Sequence, residues 1–146
     1  MTIPKYRLRV VRDRSASVKA SGLPCDNPAG VAEIVRAVIG SDPREHFVAV
    51  YLNARNHPVG FHVVSIGTLT ASLVHPREVF GPALVAGAAG IIIAHNHPSG
   101  DSRPSPEDIE TTHRLVKAGR LLGVGVLDHV IITGAGYTSL RQSGQL

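Results

Sequence analysis

The segment IIIAHNHP, residues 91–98, places an uninterrupted apolar run directly before two histidines and a proline. Such a run is typical of a strand buried on both faces at the centre of a sheet. Pro98 has no N–H for a further ladder bond, so we expect the strand to end beside His95 and His97. Because alternate side chains of a strand share a face, both imidazoles are predicted to project to one side and Asn96 to the other.

The rest of the chain alternates helical and strand patterns, which favours an α/β or α+β fold with a mixed sheet. A length of 146 residues suits one domain, and 43% hydrophobic residues can build a core without disulfides. Helices are predicted over residues 28–39, about 76–87, where Pro82 weakens the pattern, and 106 to about 121. Strands are predicted over residues 6–11, 45–53, 60–69 (antiparallel to the preceding strand), 91–97, 124–134 and 137–140.

The positive charge is concentrated at the N-terminus, since residues 1–20 contain six basic residues against Asp13. One interpretation is an exposed edge strand that charge protects from aggregation. The other is an arm that meets nucleic acid or another acidic surface. The exposed strand could also pair with another chain in an oligomer. The single Cys25, and the lack of a signal peptide or an apolar run long enough to cross a bilayer, predict a cytoplasmic protein with no membrane contact.

The chemistry-bearing residues follow the apolar run. Two histidines on one face, with Asp108 brought back by a loop and a helix start, would form a three-ligand set that suits zinc and leaves a position for water. An alternative needs no metal, because Ser105 is a good N-cap, Pro106 suits the first helical position and Asp108 suits the third. The two interpretations are compatible, since a helix N-terminus can hold a ligand rigidly.

The segment HNHPSGDSRPSPED resembles the JAMM, or MPN+, metalloprotease motif, which reads His-x-His-Pro, six residues, Ser, two residues, Asp. His95, His97, Pro98, Ser105 and Asp108 occupy its positions. The segments GTLTASLVHPREVF, GAAGIIIAHNHPSGD, SPEDIETTHRLVKAGRLLGVGVLDHVII and YTSL further resemble the RadC-like bacterial branch of JAB/MPN domains. The resemblance extends from about Pro43 to Arg141.

This resemblance implies an α/β fold related to the cytidine deaminases, with a mixed central sheet flanked by two to three helices. It implies Zn²⁺ held by His95, His97 and Asp108, and a Ser105 hydroxyl that helps to stabilise an oxyanion. The family also has an upstream glutamate that acts as general acid and base. Glu45, at the start of a predicted strand, matches that position; Glu33 is the second candidate.

The implied activity is zinc-dependent hydrolysis of peptide or isopeptide bonds in a protein or peptide substrate. The alternatives are a nucleic-acid-binding role in DNA repair or recombination and a scaffold that binds partners. RadC proteins usually have an N-terminal helix-hairpin-helix segment, and no such pattern precedes the core here. We expect residues 1–40 to form a basic strand, loop and helix on a JAB/MPN domain of residues 41–146. His75, Asp128 and His129 match recurrent family positions without a clear role; of the adjacent pair in the last long strand, only one can face a site.

Overall fold

A computed structural model describes residues 1–11, 13, 25, 27–67 and 74–146. The elements within these residues confirm the predicted α/β fold and its mixed sheet. In chain order they are α1 (Pro28–Ile39), β1 (His46–Leu52), β2 (Pro58–Ile66), α2 (Pro76–Ala86), β3 (Gly90–Asn96), α3 (Pro106–Leu122), β4 (Gly125–Ile132) and β5 (Tyr137–Ser139). Pro82 lies inside α2, which is continuous.

The sheet has the strand order β2-β1-β3-β4-β5, so β3 occupies its centre, as its apolar sequence predicts. Strands β3 and β4 are parallel, and the other neighbouring pairs are antiparallel. The register places Phe47 of β1 beside His95 of β3, and Ile93 of β3 beside His129 of β4. The carboxyl end of β3 is thereby flanked by the start of β1 and the end of β4.

Each face of the sheet has its own core. Helices α2 and α3 cover one face, on which Phe47, Ile91 and Ile93 pack with Phe80 and Leu115. Helix α1 covers the other face and packs on the alternate residues of the same strands, which are Val48, Val50, Leu52, Ile92, Ala94, Val130 and Ile132. The period-two alternation of β1 and β3 thus supplies both cores, and histidines at positions 95 and 97 fall on the α2–α3 face.

The helix ends follow the local sequence. The Asn27 side chain accepts a hydrogen bond from the N–H of Gly30 at 2.8 Å and so caps α1 as predicted. Ser105 caps α3, the helix that carries Asp108. A methyl group on Gly119 of α3 would lie 2.4 Å from the carbonyl oxygen of Val124 and 3.2 Å from the Phe80 ring. Only glycine therefore allows α3 this close approach to α2 and to the start of β4.

The predicted strand over residues 6–11 is wrong, because residues 1–11 are exposed and have no regular secondary structure. An alternating pattern favours a strand only where a neighbouring strand supplies backbone hydrogen bonds. Most of the loop predicted between this segment and Asn27 lies outside the described residues. No helix within the described part of the chain is long and apolar enough to cross a membrane.

Candidate metal centre

Two imidazoles and a carboxylate meet where β3 ends. The Nε2 atoms of His95 and His97 are 2.7 Å apart, which confirms that the two side chains project from the same face. The Asp108 carboxylate lies across both, with Oδ1 3.1 Å from Nε2 of His95 and Oδ2 3.3 Å from Nε2 of His97. His95 is completely buried, and the other two side chains are each 14% exposed, so the group opens to solvent on one side.

The helix start holds Asp108 in place. The backbone N–H of Ser105 donates to Oδ2 of Asp108 at 2.7 Å, and the N–H of Asp108 donates to Oγ of Ser105 at 3.1 Å. This reciprocal capping box satisfies the end of α3. The cap and the convergence on the histidines are therefore both present. Burial opposes ionisation of Asp108, but the contact with His95 and the hydrogen bonds with Ser105 outweigh it, so the pKa of Asp108 lies well below its usual value.

Glu45 approaches the same two imidazoles. One carboxylate oxygen of Glu45 and one ring nitrogen each of His95 and His97 all lie within 4.8 Å of one another, so these three residues could hold a metal ion. The backbone on both sides of Glu45 is held by Asn96, whose side chain accepts from the N–H of residue 46 at 2.7 Å and donates to the carbonyl of residue 44 at 3.0 Å. Asn96 points away from the histidines, as predicted, and it positions this glutamate.

The donor set fits a divalent cation. Tetrahedral zinc with bonds of roughly 2.0–2.1 Å separates its donor atoms by about 3.3 Å, and the contacts among His95, His97 and Asp108 span 2.7–3.3 Å. Nδ1 of His97 lies 2.7 Å from the backbone carbonyl oxygen of Asp101, which can only accept a hydrogen bond. The ring proton of His97 therefore belongs on Nδ1, and Nε2 of His97 presents a lone pair. Nε2 of His95 faces this lone pair at 2.7 Å, so a proton or a cation is needed between the two nitrogens.

His129 lies directly behind His95. Its Nε2 is 2.8 Å from Nδ1 of His95, and the His129 ring stands edge-on to Phe47. Burial holds the pKa of His129 well below its usual value. Sequence reasoning could name His129 but not place it, and it missed the contributions of Asn96 and the Asp101 carbonyl.

Several other titratable side chains lie elsewhere. Asp128 faces the α1 side, away from the histidines. Glu33 is exposed on α1, on the far face of the sheet, which leaves Glu45 as the glutamate beside the imidazoles. His75 is exposed at the start of α2. The Asp101 side chain is exposed and paired with Arg103 at 2.7 Å, which lowers the pKa of Asp101 to about 2.

A family model described as the RadC-like JAB domain matches residues 25–145, which include every residue of this group. The chain belongs to the RadC-like JAB domain family. The match confirms the family that the HNHPSGDSRPSPED segment resembles. It excludes residues 1–24, where the basic residues are concentrated.

Curated relatives of this RadC-like domain occur in bacteria and archaea. A UPF0758 protein of Rubrobacter xylanophilus is 48% identical over 140 residues, covering 96% of this chain and 59% of the relative. A UPF0758 protein of Symbiobacterium thermophilum is 51% identical over 120 residues, covering 82% and 51%. One from the archaeon Methanococcoides burtonii is 50% identical over 103 residues, covering 70% and 45%. The chain thus spans about half the length of the curated relatives it matches.

Proposed function

We propose that this RadC-like domain is a zinc-dependent hydrolase of peptide or isopeptide bonds, with the ion held by His95, His97 and Asp108. The observation that carries the proposal is the convergence of two Nε2 atoms and one carboxylate, with all three contacts between 2.7 and 3.3 Å. Two nitrogens and an oxygen suit zinc, whereas magnesium and calcium prefer oxygen ligands. The substrate class rests on the similarity to the JAMM motif.

Zinc at such a site supplies a Lewis acid that polarises a carbonyl and brings the pKa of water toward neutrality. The Glu45 carboxylate then accepts a proton from the attacking water and returns it to the leaving amine nitrogen. Oγ of Ser105 accepts from the N–H of Asp108, so its own hydrogen is left to donate to the oxyanion of the tetrahedral intermediate. Asn96 holds the backbone that presents Glu45.

The first test is the metal content of protein purified without added metal. We expect nearly one zinc per chain in the wild type and in His113→Ala, a control on the exposed side of α3. His97→Ala should lose the metal and keep its circular dichroism spectrum, because its side chain lies at the end of a strand rather than in the core. A wild type that holds no zinc even when zinc is supplied would contradict the proposal. The segment HNHPSGDSRPSPED would then be only the end of a strand and the cap of a helix.

A second test separates the two carboxylates. Asp108→Asn should release zinc, because it removes a charged ligand, whereas Glu45→Gln should retain zinc and lose hydrolysis of peptide and isopeptide substrates. Titration with a chromophoric chelator measures the affinity of each variant. The reverse pattern, zinc lost from Glu45→Gln and kept by Asp108→Asn, would make Glu45 the third ligand and Asp108 only a helix cap.

A second candidate function is nucleic-acid binding. Residues 1–11 are exposed and contain Lys5, Arg7 and Arg9, which are free of regular structure and accessible to phosphates. Binding to a duplex should weaken steeply with salt and disappear when residues 1–14 are removed. Binding that survives the deletion would place the contact elsewhere, and no binding at low salt would exclude this function.

A further inference from the structure

A buried series of hydrogen bonds, called the relay below, runs inward from His95 through His129 and Thr112. Nδ1 of His95 is 2.8 Å from Nε2 of His129, and Nδ1 of His129 is 2.6 Å from Oγ1 of Thr112. Oγ1 of Thr112 is in turn 2.6 Å from the backbone carbonyl oxygen of Asp108. The side chains of all three linked residues are fully buried, each with 0% exposure, so water cannot substitute for any partner.

The donor and the acceptor of every bond in the relay follow from its inner end, at Thr112. Two oxygen atoms 2.6 Å apart require a hydrogen between them, and only the Thr112 hydroxyl has one, because a carbonyl only accepts. Because this hydrogen is already donated to the carbonyl, Oγ1 of Thr112 can only accept from its other neighbour, which is Nδ1–H of His129. An unpaired charge is costly at a fully buried position, so His129 keeps one proton, on Nδ1. Its bare Nε2 then accepts from Nδ1–H of His95. The same logic leaves Nε2 of His95 without a proton.

We propose that Thr112 and His129 are positioning residues that fix His95 as its Nδ1–H tautomer and so reserve its Nε2 lone pair for the metal. The consequence for a metal rests on the proposed function, whereas the tautomer itself does not. His97 reaches the same state by a different route, since its Nδ1 donates to the backbone carbonyl of Asp101. The relay also ties His95 to α3, because Thr112 lies one turn after Asp108.

A purely structural role for His129 predicts something else. His129 packs edge-on against Phe47, and this contact depends only on the shape of the ring. Under that view the loss of the Thr112 hydroxyl would change stability but neither the His95 tautomer nor the metal affinity. The two views are therefore separated by removing a hydroxyl while keeping the shape.

The experiment compares full-length wild type with Thr112→Val, Thr112→Ser and Thr111→Val. Valine preserves the shape of Thr112 and removes the hydroxyl, so the buried His129 Nδ1 loses its acceptor and the ring shifts its proton to Nε2, which then donates to His95. Zinc affinity, measured by chelator competition, should fall roughly 10- to 100-fold in Thr112→Val, as it does when partners behind a ligand are lost. Thr112→Ser and the buried neighbour variant Thr111→Val should stay near the wild-type affinity.

The tautomer is read directly from long-range ¹H–¹⁵N correlations of the metal-free protein, well above the ordinary imidazole pKa. The wild type should show the His95 proton on Nδ1, and Thr112→Val should show it on Nε2. A wild type with the proton on Nε2 overturns the proposal without any variant. So does a Thr112→Val protein with unchanged tautomer and affinity. If the wild type binds no zinc but shows the Nδ1–H tautomer, the proposed function fails and the relay stands.

Discussion

On one face of β4, the Asp128 carboxylate accepts hydrogen bonds from Oγ of Ser139 at 2.6 Å, from the N–H of His129 at 2.7 Å and from the N–H of Arg141 at 3.1 Å. On the opposite face, the next residue, His129, belongs to the relay, which passes through His95 toward the surface. Both side chains are buried, with 3% and 0% exposure. One network closes inside the protein, and the other ends at a nitrogen beside a solvent-accessible carboxylate.

The contrast between these two networks shows how to interpret a buried polar residue in this fold. A buried charge costs free energy unless it is hydrogen-bonded, and Asp128 meets that requirement by joining β4 to β5 and the turn that follows. The His129 network meets it as well, but it leaves a lone pair at its outer end. We therefore infer that closed networks here serve stability and that the open network serves the metal centre.

The largest expected effect comes from breaking the closed network. Asp128→Ala removes an acceptor from three donors and should lower the free energy of unfolding by about 3 kcal/mol, measured by urea denaturation with circular dichroism because the chain has no tryptophan. Zinc affinity of the folded variant should change by less than about threefold, since altered partners behind a ligand shift affinity by 10-fold or more. A large loss of affinity would mean that the two faces are coupled through the backbone N–H of His129.

A smaller effect is expected at Ser105, which caps α3 and donates to the oxyanion in the proposed function. Ser105→Ala removes the N-cap of α3 and should cost about 1 kcal/mol of stability, together with at least a tenfold loss of the proposed hydrolysis. Ser105→Asp keeps an acceptor for the N–H of Asp108, but its carboxylate has no hydrogen to donate, so it should regain stability without regaining activity. Equal turnover in wild type and both variants would leave this serine as a cap only.

The sequence predicts the candidate metal centre better than the buried residues that lie behind it. Strand alternation places His95 and His97 on one face, and the Ser-Pro-x-Asp pattern starts the helix that returns Asp108. Both are local rules. By contrast, choosing between Asp128 and His129 requires the parallel register that sets Ile93 beside His129, and Thr112, in the body of α3, has no signal of its own. Their roles arise from packing between distant segments.

The error at residues 6–11 has the same cause. Alternating residues such as Arg7, Leu8 and Arg9 match a half-exposed strand, yet no strand within the described part of the chain pairs with them. Strand β1 shows the opposite case, because β2 and β3 pair with it on both sides and its predicted bounds are correct to within a residue. A local pattern predicts an element reliably where long-range partners agree with it.

The smallest effect is expected at Tyr51, which tests whether a closed network leaves zinc affinity unchanged. Tyr51 lies on the same face of the sheet as His129 but near the far end of β3, where it pairs with Ile91. Its hydroxyl donates to the carbonyl of Val79 at 3.1 Å, which closes the network, and burial raises the pKa of Tyr51 well above its usual value. The unfolded chain then loses this proton near pH 10 while the folded chain keeps it, so stability is full below about pH 10 and falls as the pH rises further. We expect Tyr51→Phe to be less stable than wild type by about 1 kcal/mol at neutral pH.

The difference in unfolding free energy between wild type and Tyr51→Phe should narrow to nearly zero by about pH 11. Only the wild type loses stability there, because its unfolded chain releases the Tyr51 proton and its folded chain keeps it. Urea denaturation at neutral and alkaline pH measures the gap, and Tyr137→Phe, at a 40% exposed position, should show no such convergence. Zinc affinity at neutral pH should be unchanged in Tyr51→Phe, since its network ends at a carbonyl. A change in affinity would show that closure of a network does not isolate it from the metal centre, and the distinction between the two faces of β4 would then lose its basis.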